Sequence, residues 1–251
     1  MSLATAAIVL AAGEGTRIKA TRQLNKVAFP LGGRPMIWYT VHHLKSAKIS
    51  PIVVVVGFAA TSVKQALGQS VHYAWQRQRL GTGHAVKVGL KLIHPQVTTV
   101  LTMYGDDSAF YPPPLFHSLL KHHRQHQADI SLLTVVVPDP TGLGRIIRSA
   151  AGQLLAIVEH KHATPAQRQI KEINTGLFCF DVKFLHQNLP RLHKNLSGGE
   201  YYLTDLVAAA VSQHLVVVPF TWPDAQVWQG LNTQVEYQRL LSRSIPPVKP
   251  V

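Results

Sequence analysis

The sequence predicts an α/β fold of Rossmann-like type, with a mostly parallel central sheet, helices on both faces and an inserted β-rich lobe. Over the first 137 residues, short apolar runs rich in valine and isoleucine alternate with stretches of helical spacing, which is typical of strands buried between two helical layers. The first apolar run ends in a glycine-rich turn at residues 13–17. From about residue 142 the elements become shorter and richer in strands, which indicates the lobe.

The individual elements follow from the same patterns. Continuous apolar runs predict strands at 6–12, 51–58, 98–104 and 130–137, and apolar residues three and four apart predict helices at 36–47, 82–92 and 114–125. In the lobe, we predict strands at 144–148, 154–159 and 174–180 and a polar helix at 165–172. A helix at 203–212 and a strand at 215–219 complete the domain.

These elements predict one domain over residues 1–232, made of a first half at about 1–137 and the lobe at about 138–232. Residues 233–251 are predicted to form a last helix and a proline-rich tail, because proline cannot continue a regular element. The sequence contains no hexapeptide or other internal repeat.

The composition narrows the class of protein. A chain of 251 residues, of which 46% are hydrophobic, can bury a large core, and no apolar run approaches the roughly 20 residues that span a bilayer. The single cysteine, Cys179, lies in an apolar run and is expected in a strand core. We expect a cytoplasmic protein without a membrane partner.

The net charge of +13, from 25 Lys and Arg against 12 Asp and Glu, favours nucleic acid or small phosphorylated molecules as partners. The basic residues are spread along the chain, without the Lys/Arg run or interleaved aromatic residues of a nucleic-acid groove. We therefore expect no nucleic-acid partner.

Small residues follow the first strand at Ala11, Ala12, Gly13 and Gly15. They allow a ligand to approach the backbone N–H groups, and Arg17 adds a fixed cation, so this turn predicts a phosphate-binding loop. Considered alone, the turn fits an ordinary strand-to-helix connection or a degenerate dinucleotide-binding turn equally well.

Polar residues at other predicted strand ends are expected at the same edge of the sheet, because the carboxyl ends of parallel strands meet there. Ligands of parallel sheets bind at this edge. Gln76, Asp106 and Glu159 are such residues, although each alone also fits a surface position, a turn or a solvated strand end. His122 and His126 lie four apart on a predicted helix. We expect them on a solvated face, since no third metal ligand is apparent.

Longer strings carry more information. The segments Leu10-Ala-Ala-Gly-Glu-Gly-Thr-Arg17, Lys26-Val and Leu31-Gly-Gly-Arg-Pro-Met36 resemble the nucleotidyltransferase signature of sugar-nucleotide pyrophosphorylases. Further matching segments follow in the same order: Gln76 with Leu80-Gly-Thr-Gly-His-Ala85, Tyr104-Gly-Asp106, Asp139-Pro-Thr-Gly-Leu-Gly-Arg145, Val158-Glu-His-Lys161, Gln167-Arg-Gln169, Glu172-Ile-Asn-Thr-Gly176 and Gly199-Glu-Tyr-Tyr202 with Thr204-Asp205. Together they resemble the uridyltransferase domain of bacterial bifunctional N-acetylglucosamine-1-phosphate uridyltransferases.

The resemblance implies transfer of UMP from UTP to N-acetylglucosamine 1-phosphate, by in-line attack of the sugar phosphate on the α-phosphorus, with Mg²⁺ as cofactor. It implies that Arg17 and Lys26 neutralise the phosphates and that Asp106 and Asn232 are the metal ligands. The nucleotide-binding residues that it implies are Leu10, Ala11, Ala12, Gly13, Gln76, Gly81 and Thr82. The sugar-binding residues that it implies are Tyr104, Gly105, Gly144, Glu159 and Asn174.

The chain departs from the family pattern in three places. The stretch between Arg17 and Lys26 is longer than usual, and Asn25 stands where a proline normally precedes the lysine. Asp107 replaces a small apolar residue after Asp106, and we expect it to face solvent or cap the next turn. The chain ends before any β-helix acetyltransferase domain, so we expect no acetyl transfer and a monomer or weak homo-oligomer.

Three alternatives stay open. The first is the same reaction with another sugar 1-phosphate or nucleoside triphosphate, because the choice of base and sugar depends on few contacts. A non-catalytic sugar-nucleotide-binding protein is suggested by the altered loop before Lys26, and a nucleic-acid binder by the charge.

His84 is expected to be a packing residue rather than a general base, because the attacking phosphate is already ionised.

Overall fold

The computed structural model describes residues 4–15, 23–195, 199–231 and 233–242. Its strands are β1 (Ala4–Ala11), β2 (Pro30–Leu31), β3 (Arg34–Pro35), β4 (Ile52–Val56), β5 (His72–Trp75), β6 (Val97–Tyr104), β7 (Ile130–Val136), β8 (Arg145–Arg148), β9 (Leu154–Val158), β10 (Glu172–Asp181) and β11 (Val217–Thr221). Its α-helices are α1 (Met36–Ser46), α2 (Ala60–Leu67), α3 (Thr82–Leu90), α4 (Pro113–Gln125), α5 (Pro165–Arg168), α6 (Val182–Asn188), α7 (Asp205–Ser212) and α8 (Gln234–Leu241).

The central sheet has the strand order β11-β7-β10-β6-β1-β4-β5. β1 is parallel to β4 and β6, β4 is parallel to β5, and β11 is parallel to β7. Only β10, of the strands on this path, runs antiparallel to its neighbours, β6 and β7. The predicted mostly parallel α/β sheet is confirmed.

The core lies on both faces of this sheet because successive side chains of a strand point to opposite faces. On β1, Val9 packs in the cluster that contains residues of α1, α2 and α4, whereas Ile8 packs in the cluster formed with α3, α6 and α7. Both side chains are fully buried. Helices therefore cover the two faces, and the strand ends remain available for a site.

The lobe contains a hairpin of β8 and β9, which joins the central sheet through the pair Ile173 and Arg145. Arg145 is 1% exposed, and its guanidinium lies 3.1 Å from Nδ1 of His160. The two predicted strands of this region are confirmed within two residues at each end.

The predicted polar helix at 165–172 is wrong beyond Arg168, where α5 ends. Glu172 instead begins β10, because its carboxylate accepts hydrogen bonds from Arg148 and Thr134 across the sheet. Helices α2 and α6 had no counterpart among the predicted elements, and the edge strand β5 was implied only by the placement of Gln76 at a strand end. Short polar elements such as α2 give a weak periodic signal.

No helix within the described ranges has both the length and the apolar character needed to cross a membrane.

Candidate active site

Two adjoining cavities open at the carboxyl ends of β1, β5 and β6. The first is lined by predicted nucleotide-side residues: Leu10, Ala11, Ala12, Gly13, Lys26, Gln76, Gly81 and Thr82. The second is lined by the predicted sugar-side residues Gly144, Glu159 and Asn174. Lys26, Thr82, Tyr104 and Asp106 line both cavities. The fold thus brings together side chains that are far apart in the sequence.

Asn25 anchors the glycine turn after β1. It is fully buried, and its Nδ2 donates to the carbonyl oxygens of Ala11, Gly13 and Phe58 at 3.2, 3.1 and 2.8 Å. Its own N–H donates to the hydroxyl of Ser62 at 3.0 Å. A buried side chain with this many partners fixes the backbone around it, so the residue that replaces the usual proline holds the predicted phosphate loop in place.

Lys26 follows Asn25 directly, in a 3-10 turn over Lys26–Ala28. Its Nζ forms an ion pair with the carboxylate of Asp106, and the two side chains are 18% and 11% exposed. The same ammonium group lies 3.4 Å from the carbonyl oxygen of Leu231. A predicted phosphate-binding cation and a predicted metal ligand therefore contact each other at the floor between the cavities.

The expectation that Asp107 faces solvent or caps the next turn is wrong. Asp107 is buried at 9% exposure, and its Oδ1 has no hydrogen-bond partner among the described residues. Burial, followed by the neighbouring carboxylate of Asp106, raises the pKa of Asp107 well above its ordinary value. Asp107 is buried because residues 106–108 turn inward against α1: the hydroxyl of Ser108 lies 3.0 Å from that of Thr40.

Gln76 lies at the end of β5 and is 5% exposed, so it is not an ordinary surface residue. Its Nε2 donates to the carbonyl oxygen of Gly81 at 3.0 Å and lies 3.0 Å from Nδ1 of His84. Burial lowers the pKa of His84, which favours the neutral ring that can accept at Nδ1. His84 therefore orients the amide of Gln76, a contact that the sequence did not indicate.

Tyr104 separates the two cavities, and its position depends on Gly176. Gly176 has a φ of +82°, and a Cβ at this position would overlap the ring of Tyr104, so only glycine satisfies both the backbone and the contact. The Oδ1 of Asn174 accepts the Gly176 N–H at 3.1 Å. Burial, reinforced by the charges of Asp107, Glu159 and Asp106, raises the pKa of Tyr104.

Gly144 and Glu159 lie on opposite arms of the lobe hairpin. A Cβ on Gly144 would lie 3.4 Å from Oε1 of Glu159 and 3.2 Å from the side chain of Ile157, so the absence of a side chain leaves room beside the carboxylate. The carbonyl oxygen of Gly144 accepts from the N–H of Asn174 at 2.9 Å. Gly105, also predicted for the sugar, lines neither cavity, and its N–H donates to the carbonyl oxygen of Leu10 at 3.0 Å.

Arg17 and Asn232, predicted as a phosphate-binding cation and a metal ligand, lie outside the described residues. His122 and His126 lie with ring centroids 4.2 Å apart, and His122 also packs 5.1 Å from Phe220. Within the described ranges, no group of three or more His, Cys, Asp or Glu is arranged to hold a metal ion.

A family model described as nucleotidyl transferase matches residues 6–231. The chain belongs to the nucleotidyl transferase family. Among similar members, the bifunctional protein GlmU of Brevibacillus brevis is 41% identical over 230 residues, which are 92% of this chain and 49% of that protein. The bifunctional protein GlmU of Limosilactobacillus reuteri is 39% identical over 233 residues, 93% of this chain and 50% of that protein. The chain spans about half the length of the curated relatives it matches.

A solved structure shows the same fold. A Bacillus anthracis protein described as a glucose-1-phosphate thymidylyltransferase, crystallised with sucrose, superposes with a TM-score of 0.79, covering 95% of this chain and 94% of that chain at 21% identity. The predicted family and the predicted nucleotide-transferase fold are therefore confirmed. The roles of the individual residues of this nucleotidyl transferase stay predictions.

Proposed function

We propose that this nucleotidyl transferase moves UMP from UTP to N-acetylglucosamine 1-phosphate and releases pyrophosphate. The observation that carries the proposal is the pair of adjoining cavities that share Lys26, Thr82, Tyr104 and Asp106. Two substrates bound in neighbouring cavities place the attacking phosphate next to the α-phosphorus, which removes much of the entropic barrier of a bimolecular reaction.

The nucleotide cavity supports a base with an N–H at its pairing edge. Because Nε2 of Gln76 is engaged by Gly81 and His84, the side chain presents its oxygen as an acceptor to a ligand. Uracil offers a donor at N3, whereas cytosine offers an acceptor at the same position, so this arrangement favours uracil over cytosine. Leaving that buried oxygen unpaired would cost about 1–3 kcal/mol.

On the phosphate side, the turn after β1 supplies backbone N–H groups at Ala12 and Gly13, and Lys26 supplies positive charge. An arriving triphosphate competes with Asp106 for the ammonium group of Lys26. Arg17, predicted to add a second cation, belongs to the same proposal. These groups neutralise the charge that develops as pyrophosphate leaves.

The chemistry of the donor set agrees with Mg²⁺ at the floor between the cavities. Magnesium prefers oxygen ligands and keeps several waters, and the carboxylate of Asp106 lies there, lining both cavities. Asp106 and the predicted ligand Asn232 would hold the ion. When bound, the ion would neutralise phosphate oxygens and increase the electrophilicity of the α-phosphorus.

The second cavity supports a sugar with hydroxyl and amide groups. Glu159 offers a carboxylate that accepts from hydroxyls, and Asn174 offers an amide, with Gly144 leaving space between them. Attack requires no general base, because the phosphate oxygen is ionised at neutral pH. The protein residues therefore act by orientation and charge rather than by proton transfer.

One alternative substrate pair has specific support. Thymine and uracil present the same donor at N3, so the oxygen of Gln76 accepts equally from either base. A thymidylyl transfer to another hexose 1-phosphate is the nearest rival. The cytoplasmic location and the monomeric or weakly associated state stay predictions.

The deciding experiment is a Mg²⁺-dependent pyrophosphate-release assay over UTP, dTTP, CTP, ATP and GTP with glucose 1-phosphate and N-acetylglucosamine 1-phosphate. We expect the highest kcat/KM for UTP with N-acetylglucosamine 1-phosphate, and loss of release in Asp106→Asn. Higher kcat/KM for another pair would transfer the assignment to that pair. Nucleotide binding without release for any pair would leave a non-catalytic binding protein.

A further inference from the structure

The segment 201–203, which has no role among the sequence-based predictions, is hydrogen-bonded to the loop that holds the predicted base-binding residues. The N–H of Tyr201 donates to the carbonyl oxygen of Leu80 at 2.8 Å, and the N–H of Gly83 donates to the carbonyl oxygen of Tyr201 at 2.8 Å. The third contact uses a side chain, because the N–H of Leu203 donates to Oγ1 of Thr82 at 2.9 Å.

The two segments are also in close steric contact. A Cβ on Gly81 would lie 2.6 Å from the carbonyl oxygen of Tyr201, and a Cβ on Gly83 would lie 3.2 Å from the same atom. Distances below 3.0 Å cannot be accommodated without a backbone shift, so Gly81 permits this approach. The loop of residues 80–83, here called the base loop, and the segment 201–203 therefore form one packed unit.

This unit spans the two cavities. Gly81 lines the nucleotide cavity, Thr82 lines both cavities, and Tyr202, between the two anchored residues, lines the sugar cavity. Among the three hydrogen bonds, only that of Thr82 depends on a side chain. Thr82 is thus the position at which the link can be altered without changing the backbone.

We propose that Thr82 is a positioning residue that couples the two substrate subsites. Its hydroxyl oxygen fixes the N–H of Leu203, and the segment that presents Tyr202 to the sugar phosphate then takes its position from the base loop. This inference rests on the proposed transfer between a nucleotide and a sugar phosphate. It differs from the role that the resemblance implies for Thr82, which is contact with the nucleotide alone.

The test compares Thr82→Val, which keeps the shape but removes the acceptor, with Thr82→Ser, which restores a hydroxyl. In native hydrogen–deuterium exchange, we expect peptides that contain residue 203 to exchange about three- to tenfold faster in Thr82→Val, as expected for loss of one hydrogen bond. We expect wild-type exchange in Thr82→Ser. Thr82→Ala serves as a second variant without the acceptor if Thr82→Val does not fold.

Steady-state kinetics supply the second readout. We expect KM for the sugar phosphate to rise about three- to tenfold in Thr82→Val, with a smaller change in KM for UTP, and recovery in Thr82→Ser. Gln76→Ala is the matched control, because we expect it to raise KM for UTP more than KM for the sugar phosphate. A KM increase confined to UTP, or unchanged exchange at residue 203, would overturn the coupling.

The two readouts separate this inference from the proposed function. Exchange at residue 203 requires no substrate, so it tests the link even if no substrate pair is turned over. Failure of the exchange test in a protein that transfers UMP would remove the coupling and leave the activity assigned.

Discussion

The ammonium group of Lys26 and the carboxylate of Asp106 form an ion pair at the boundary between the two cavities. Each belongs to a different part of the predicted reaction, one to phosphate binding and the other to metal binding. Because they neutralise each other here, substrate binding must divide the pair between new partners. The partners that neutralise the charges of Lys26 and Asp106 therefore change when the site is occupied.

This pair leads to a prediction for Lys26→Met. We expect turnover to fall by about two to three orders of magnitude, since preorganised charge is lost where negative charge develops. Lys26→Arg keeps the charge and should retain more activity. Lys121→Met, which removes an exposed cation on α4, is the control for net charge, and equal effects in both Met variants would contradict a local role.

Gln76 and His84 give a graded prediction. Gln76→Ala should raise KM for UTP by about five- to 150-fold, equivalent to about 1–3 kcal/mol, and should affect the sugar phosphate less. His84→Ala leaves the amide present and removes one of the two partners of its Nε2, so a smaller increase in KM for UTP is expected. Steady-state kinetics with each substrate varied in turn provide the measurement. A larger effect at His84 than at Gln76 would mean that the histidine itself contacts the ligand.

Asn25→Ala should destabilise the protein and weaken nucleotide binding together. The substitution leaves carbonyl oxygens of Ala11, Gly13 and Phe58 without their common donor, and one buried unsatisfied group costs about 1–3 kcal/mol. Urea denaturation measures the loss of unfolding free energy. Ser62→Ala, which removes one partner of Asn25, is the matched control and should cost less.

Asp106 and Asp107 can be separated by Mg²⁺ titration. We expect Asp106→Asn to abolish Mg²⁺-dependent turnover and Asp107→Asn to retain most of it, because Asp106 lines the nucleotide cavity and Asp107 does not. Isothermal titration with Mn²⁺ and no substrate gives a reading that does not depend on turnover. A fully active Asp106→Asn beside an inactive Asp107→Asn would reverse the assignment of the ligand.

His123 predicts acid sensitivity. Burial lowers its pKa from the ordinary 6.5 to about 4, so the folded state holds the neutral ring beside the hydroxyl of Ser131 at 2.9 Å. Its stabilising contribution is therefore present above pH 6.5 and is lost as the pH falls toward 4. From this group alone, we expect the unfolding free energy to fall by about 2 kcal/mol between pH 7.5 and 5.

The comparison variant for this prediction is His123→Gln, which can keep a hydrogen bond to Ser131 but does not titrate. Denaturant titrations at pH 7.5 and 5 should show a smaller pH dependence for the variant. The same pH dependence in both proteins would assign the acid sensitivity to other groups.

The sequence predicted the sheet, the glycine turn and the convergence of Gln76, Asp106 and Glu159 because strand periodicity places strand ends at one edge. It did not predict the contact between His84 and Gln76. His84 lies at the start of α3, and its ring direction depends on tertiary packing rather than on spacing. The sequence around His84 would look the same whether its ring packed against an apolar side chain or against a polar one.

Asn25 and Asp107 show the same limit in another form. Both occupy positions where the family pattern has a different residue, and the sequence marked them as departures. Only the folded chain shows that Asn25 donates to several carbonyl groups and that Asp107 is buried. The partners of a buried polar side chain lie far away in sequence, which local pattern does not record.

The reversed strand β10 lies between β6 and β7, although both of these strands precede it in the chain. A polypeptide cut between β7 and β8 would therefore produce a first fragment with a missing central strand and a second fragment that carries it. Neither fragment alone contains every strand of the central sheet, so the sheet closes only when the chain beyond β8 is in place between β6 and β7.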